Sequence, residues 1–311
     1  MVEQGVPLRE TPPRDRRRPS RGRIVARRVV ALVVLAVGLG LAVWLVLLAL
    51  GSIRDGGSTE AKPVVPAAPP VLKIIFPEGF TRAEMAERIT AVDRIARNRR
   101  KINPRLSSRA YLAATARSKI PANFAEDRKR RNLEGFLFPS TYEFEPQTTS
   151  RQLVNRQLQA FQDNWRQVDL AYAKSRNLTP YDVLIIASLI EKEVIAPEER
   201  RLVAAVIYNR LKARMNLGID ATTRYGLNVP GTEPLRESHL ASDNPYNTRN
   251  PNILGLPPTP IANPGLASMQ AAAHPANVDY LFFVRKADKK HHFFTASEQE
   301  FNAYLAAHGV G

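Results

Sequence analysis

Thr179-Pro180-Tyr181-Asp182-Val183-Leu184-Ile185-Ile186-Ala187-Ser188-Leu189-Ile190-Glu191-Lys192-Glu193-Val194 is the most regular stretch of the chain, and the fold is read outward from it. Thr179 is a good N-cap, Pro180 suits the first helical position, and Asp182 completes a capping-box-like start. The spacing predicts a helix through Ile185, Ile186, Leu189 and Ile190 to Val194. Pro197 then opens a second helix, with Glu198 and Glu199 in its electropositive first turn. Its apolar positions Leu202, Val203, Val206, Ile207 and Leu211 recur at helical intervals.

Beyond Met215 the composition turns loop-like, rich in Asn, Pro and Gly, until about Asn263. Asn263-Pro264 is expected to cap a helix running to Ala273. Tyr280–Lys286 and His291–Thr295 read as a hairpin, and Ser297 with Glu300 as the capping box of a last helix. Upstream, Val71–Phe76 reads as a strand and Pro77-Glu78-Gly79 as a turn. Thr81, with Glu84, caps a helix carrying Met85, Ile89 and Val92. Ser107–Ile120 and Ser150–Asp163 read as helices. Leu133–Pro146, aromatic and punctuated by Gly and Pro, is expected to be ordered and non-helical. The fold class is α+β, mostly helical.

Charge divides the rest of the chain. Of the formal +16, residues 1–28 supply +6 from nine arginines against Glu3, Glu10 and Asp15, and Arg82–Arg131 supplies +10. The remainder sums to zero. The first block precedes an uncharged run from Val29 to Leu50, whose 22 residues span roughly 33 Å as a helix, the thickness of a bilayer core. Arg21, Arg23, Arg27 and Arg28 flank its N-terminal end, so the positive-inside rule puts the N-terminus in the cytoplasm and everything after Leu50 outside. A cleaved signal peptide is the competing reading, but the run is long for one. The expected layout is a disordered basic tail (1–28), a transmembrane helix (29–50), a Pro/Gly-rich linker (51–70), a strand–helix subdomain with a basic insert at Arg94–Lys101 (71–150), and a catalytic domain (151–311).

No cysteine is present, which excludes disulfides, thiolate zinc sites and Cys nucleophiles. The five histidines form no metal signature, and His291-His292 reads as a packed or exposed pair. No cofactor or metal is expected. The Arg82–Arg131 block lacks interleaved aromatics and lies on the outer side, so an anionic wall polymer or lipid headgroups fit it better than nucleic acid.

Two features carry possible chemistry. Glu191 has Ala187 and Ser188 one helical turn back, and Val194 and Ile195 one turn ahead. It continues a small, largely apolar stripe, where a carboxylate loses hydration and suits a general acid. Glu193 is rotated by about 200° and faces elsewhere. The same Glu191-Lys192-Glu193 run also reads as a solvated helix end, and spacing alone does not choose. The second feature is the polar stretch from Gly218 to Pro264, stiffened by prolines and holding Asp220, Thr222, Tyr246 and Asn247. It suits a sugar cleft or a purely structural loop.

Three segments decide between these readings. They are Glu134-Gly135-Phe136-Leu137-Phe138-Pro139 with Thr141-Tyr142, then Ala187–Glu193 with Tyr208-Asn209-Arg210-Leu211, then Tyr246-Asn247-Thr248 with Gly255–Gly265 and Ala271–Pro275. In order and spacing they resemble the MltG (YceG-like) family of bacterial endolytic murein transglycosylases, over about Val71 to the C-terminus plus the membrane anchor. The resemblance implies cleavage of the MurNAc–GlcNAc bond of nascent glycan strands, with a 1,6-anhydro end, by a protein of the inner membrane working beside peptidoglycan synthases. It implies Glu191 as acid/base, a LysM-like module near Ile74–Ile89, and sugar contacts from Asp220, Thr222, Tyr246, Asn247, Ser188 and Glu193. The chain departs from the family's Gln-Ser-Asp-Pro-Thr at Gly218–Thr222 and carries Arg249 after Tyr246-Asn247-Thr248. A muramidase-type hydrolase using Asp220 and a non-catalytic wall-binding scaffold are the rival readings.

Overall fold

A computed structural model describes residues 21–54, 70–116, 120–124 and 132–309. Most of the expected tail and linker, and part of the second basic block, lie outside these. Contacts divide the chain into two units, Met1–Ala67 and Ala68–Gly311. The first holds helix α1 (Arg21–Arg54), whose stretch Val29–Leu50 has a mean hydropathy of 2.9 and is long and apolar enough to cross a membrane.

In the second unit, strand β1 (Leu72–Ile75) alternates buried and exposed side chains and pairs antiparallel with β2 (Thr141–Phe144), Leu72 facing Phe144. Helices α2 (Arg82–Arg100) and α3 (Ser108–Ala116) lie between the two strands in sequence. Thr81 and Glu84 form the expected capping box of α2. Arg94–Lys101, the expected basic insert, forms the end of that helix, closed by Lys101 in the left-handed region at φ 56°.

Helix α4 (Ser150–Trp165) starts at a Thr149–Gln152 capping box, and α5 (Ala171–Ser175) leads to α6 (Pro180–Glu193). Thr179 and Asp182 cap α6 as the sequence predicts. Its residues Val183 to Ile190 are all buried, which is what a helix apolar all round requires. Helices α7 (Arg200–Ala213) and α10 (Leu266–Ala273) pack against α6 and complete its burial. Each Leu or Ile enclosed there contributes about 1.5–3 kcal/mol relative to exposure.

Some local expectations change. Pro197 opens a single 3-10 turn, Pro197–Glu199, before α7 begins. The stretch read as loop contains α8 (Asp220–Leu227) and α9 (Glu237–Leu240). Two Thr residues and Gly226 disfavour a helix at α8, but burying Thr222 and Thr223 outweighs local propensity. Helix α10 starts at Gly265, so Asn263 is not its cap. Strands β3 (Phe282–Arg285) and β4 (His292–Thr295) form the expected hairpin ahead of α11 (Glu298–His308). Ser297 accepts from Glu300 N–H, while the Glu300 carboxylate turns to the Thr295 hydroxyl instead of closing the box.

Residues on either side of position 150 share one core. Phe136 meets Phe124 edge-on at 5.0 Å and Phe161 at 5.2 Å, and Phe161 stacks on Trp165 at 5.6 Å. Packing is not interrupted at residue 150, and no distinct LysM-like unit stands apart from the helical body.

A buried polar knot joins the two halves. Asn263 Oδ1 accepts from Leu137 N–H at 2.9 Å, and its Nδ2 donates to Phe80 O at 2.9 Å and to Glu134 Oε1 at 2.8 Å. Glu134 also accepts from Arg82 N–H at 2.9 Å and from the Tyr225 hydroxyl at 3.2 Å. Next to it, Gly135 sits at φ 87°, and a Cβ there would lie 2.6 Å from Pro260 Cγ. Asn263→Ala strips one partner from each of three buried groups and is expected to lower unfolding stability by about 3 kcal/mol, read by chemical denaturation.

Candidate active site

A cleft of about 1010 Å³ opens at the C-terminal end of α6. Its walls come from the start of α2, the last turn of α6, helix α8 and the β3–β4 hairpin, and include Glu193, Asp220, Tyr246, Arg249, Arg285 and His292. Helix α6 ends here because Val194 leaves the helical region, with φ −94° and ψ 126°.

Two carboxylates that border the cleft, Glu134 and Glu193, are raised by loss of hydration, and of these Glu193 stands at the end of α6. Loss of hydration pushes it up to about 7; nearby Asp220 adds to the shift, while Arg285 and Arg249 oppose it. Arg285 Nη2 donates to the backbone carbonyl of Glu193 at 2.9 Å and holds the helix end. Asp220 is ion-paired to Arg249, with both side chains about half exposed (48% and 46%), so the pair is open to solvent screening. The Arg249 that departs from the family pattern is thus the partner of Asp220. Arg210 turns its guanidinium onto the carbonyls of Leu281 at 2.6 Å and Leu217 at 2.9 Å. Arg210 and Arg285 make no ion pair within 4 Å among the described residues, and their guanidiniums are held by backbone carbonyls instead.

Glu191 faces another side of α6, as the helical rotation requires. It is half-buried and does not border this cleft. Its Oε2 accepts from Gly265 N–H at 3.0 Å. Glu78 crowds the same glycine: a Cβ on Gly265 would fall 1.8 Å from Glu78 Oε1, so any side chain there would have to displace the Glu78 carboxylate. Burial raises Glu78, the Glu191 charge raises it further, and Arg200 opposes both.

The remaining expected sugar contacts separate into two groups. Asp220 and Tyr246 reach the cleft with Glu193; Tyr246 also places its hydroxyl 2.8 Å from Thr259 Oγ1. Thr222, Asn247 and Ser188 do not reach it, because all three are sealed at 0% exposure. Thr222 donates to Ile219 O at 2.7 Å. Asn247 donates to the carbonyls of Leu240 at 2.9 Å and Ser242 at 2.8 Å and accepts from the Thr223 hydroxyl at 3.0 Å. Ser188 accepts from Ile261 N–H at 3.1 Å and ties α6 to the proline-rich segment. These three order the backbone behind the cleft.

Sequence reasoning missed Glu78, Arg285, and the pairing of Glu199 with His292. Glu78 lay in a turn with no neighbouring signal. Glu199 was legible as a first-turn acid only, since its partner is 93 residues away. A larger hollow of about 1620 Å³ borders the N-terminal half of α6, but its Asp182 is committed to the Thr179 cap.

The chain resembles proteins of known type at several levels. An endolytic murein transglycosylase of Bacillus subtilis (strain 168) is 36% identical over 156 residues, 50% of this chain and 42% of the relative. One from Streptococcus pneumoniae (strain ATCC BAA-255 / R6) is 28% identical over 278 residues, 83% of this chain and 48% of the relative. The chain therefore spans about half the length of the curated relatives it matches. The crystal structure of a yceG-like protein from Listeria monocytogenes superposes with a TM-score of 0.61 at 27% identity, covering 76% of each chain. The model of the YceG-like family matches residues 55–307, and the chain belongs to that family.

Proposed function

We propose that this chain is an endolytic lytic transglycosylase that cleaves peptidoglycan glycan strands, with Glu193 as its acid/base. The observation that carries the reading is a cleft-wall carboxylate, raised to about 7, whose side chain makes no hydrogen bond among the described residues, whereas Glu134, equally raised, is held by Arg82, Tyr225 and Asn263. The family resemblance pointed to Glu191, its neighbour two residues back. The cleft geometry favours Glu193, and on this reading Glu191 anchors Gly265 and the start of α10.

Protonated Glu193 donates to the glycosidic oxygen that leaves N-acetylmuramic acid. Positive charge builds at the anomeric carbon as that bond breaks. Ionised Glu193 then takes the proton of the sugar's own C6 hydroxyl, whose oxygen bonds to the anomeric carbon. The product carries a 1,6-anhydro end and no water is consumed. One carboxylate suffices, unlike the paired carboxylates of most glycoside hydrolases. The start of α2, the part read as LysM-like, contributes Thr81, Arg82 and Glu84 to the cleft and is proposed to contact the glycan. We place the N-terminus in the cytoplasm and the cleft outside, where α1 holds it close to strands leaving the synthases.

The full chain in detergent, given purified sacculi, is expected to release muropeptides one water lighter than hydrolysis products, as read by mass spectrometry. Glu193→Gln is expected to lose about 10²–10⁴-fold in turnover, with Glu191→Gln retaining most of it. The reverse pattern would return the role to Glu191. Reducing-end products that depend on Asp220 would mean a hydrolase, and binding to sacculi without release would mean a scaffold.

The pH dependence has a definite sign. The donor must be protonated in the free enzyme, so kcat/KM is expected to fall as pH rises through about 7, by about tenfold per further unit. A pH–rate profile that stays level to pH 9 would remove Glu193 as the acid.

A further inference from the structure

The β3–β4 hairpin brings a group to the cleft that the mechanism above does not use. His292 is 3% exposed and Glu199 6%. His292 Nδ1 lies 2.6 Å from Glu199 Oε2, and the backbone N–H of His292 donates to Glu199 Oε1 at 2.9 Å. Glu199 stands on the 3-10 turn between α6 and α7, so the pair joins the hairpin to the end of the central helix. Phe283 meets the imidazole edge-on at 5.4 Å and Phe294 at 6.0 Å, which fixes its plane.

Every part of the ring except Nε2 is thereby committed. His292 is among the residues that border the cleft holding Glu193. Nε2 has no hydrogen-bond partner among the described residues. Among those residues Arg82 Nε is the one sealed side-chain nitrogen or oxygen without a partner, so Nε2 is not wholly sealed from the cleft side. A pair that served only to fasten the hairpin would have no need to present this atom to a polar cleft. The charged groups on the surrounding elements are Glu193 on α6, Arg210 on α7, Asp220 on α8, and Arg285, which faces His292 in the hairpin register. The guanidiniums are donors and the carboxylates carry charge. In the tautomer whose Nδ1–H donates a hydrogen bond to Glu199, Nε2 is left as an uncharged acceptor.

We infer that His292 is a glycan-contacting residue, its Nε2 aimed by Glu199 to accept a hydrogen bond from a hydroxyl or acetamido N–H of the bound sugar. This rests on reading the cleft as the glycan site. Glu199 is then a positioning residue, acting on the sugar only through the ring it holds.

The test uses the full chain in detergent, labelled with ¹⁵N-histidine, and a soluble tetrasaccharide of alternating N-acetylglucosamine and N-acetylmuramic acid. Titration is expected to shift the Nε2 resonance of His292 by NMR. The amide nitrogen of Asn can stand in for Nδ1, so His292→Asn is expected to melt near the wild-type temperature and to bind the tetrasaccharide at least tenfold more weakly. Bound tetrasaccharide with an unmoved Nε2 signal would overturn the inference, as would no binding at all, or a folded His292→Asn with wild-type affinity. If that variant does not fold, the wild-type titration decides. A shifted Nε2 in a protein that releases no anhydro products would retain the contact while the proposed activity failed.

Discussion

The contact between Glu134 and Asn263 sets the terms for the rest of the second unit. Residues 129 apart in sequence meet in a fully enclosed site, and each satisfies donors or acceptors from other segments. Asn263 holds the carbonyl of Phe80 and the amide of Leu137, and Glu134 holds the amide of Arg82. Burial pushes Glu134 up to about 7, against the pull of those donors. A buried polar group is costly to leave unpaired, so the three segments can be arranged in few ways. This is the physical reason the β1–α2 portion forms one body with the helical portion.

That knot also positions the cleft. It fixes the start of α2, which lines one wall, and it fixes Gly79, whose backbone carbonyl accepts from Lys192 Nζ at 3.3 Å. The end of α6 is therefore gripped from both sides, by Lys192 toward the β1–α2 turn and by Arg285 toward the hairpin. Two glutamates on that last turn then meet different surroundings: one satisfies the N–H of Gly265, and the other faces a cleft next to Asp220. The rotation about the helix axis that the sequence predicts separates them.

Cationic side chains supply much of the cleft's character, but few are tied to carboxylates. Arg210 and Arg285 spend their donors on backbone carbonyls, which keeps them rigid and leaves their charge available. Among the described cleft residues, Arg249 is the cation ion-paired to a carboxylate, Asp220. Such a cleft favours a ligand with acidic substituents, while its raised glutamate and histidine edge suit a polyhydroxylated one.

Local chemistry alone determined a good part of this protein. The caps at Thr81, Thr149 and Thr179, the apolar run of α6, the hairpin near Phe282–Thr295 and the long apolar stretch Val29–Leu50 all follow from periodicity and side-chain donors within a few residues. The family could be seen from the order of its motifs. What the sequence could not yield were relations across long separations. These include the pairing of β1 with β2, the formation of α8 against its own propensity, and the sealing of Thr222, Asn247 and Ser188 behind the cleft. The different surroundings of Glu191 and Glu193 belong with them, as does the partnership of Glu199 with His292. Each depends on which surfaces are brought together and dehydrated, and hydration is set by the assembled fold and not by neighbours along the chain.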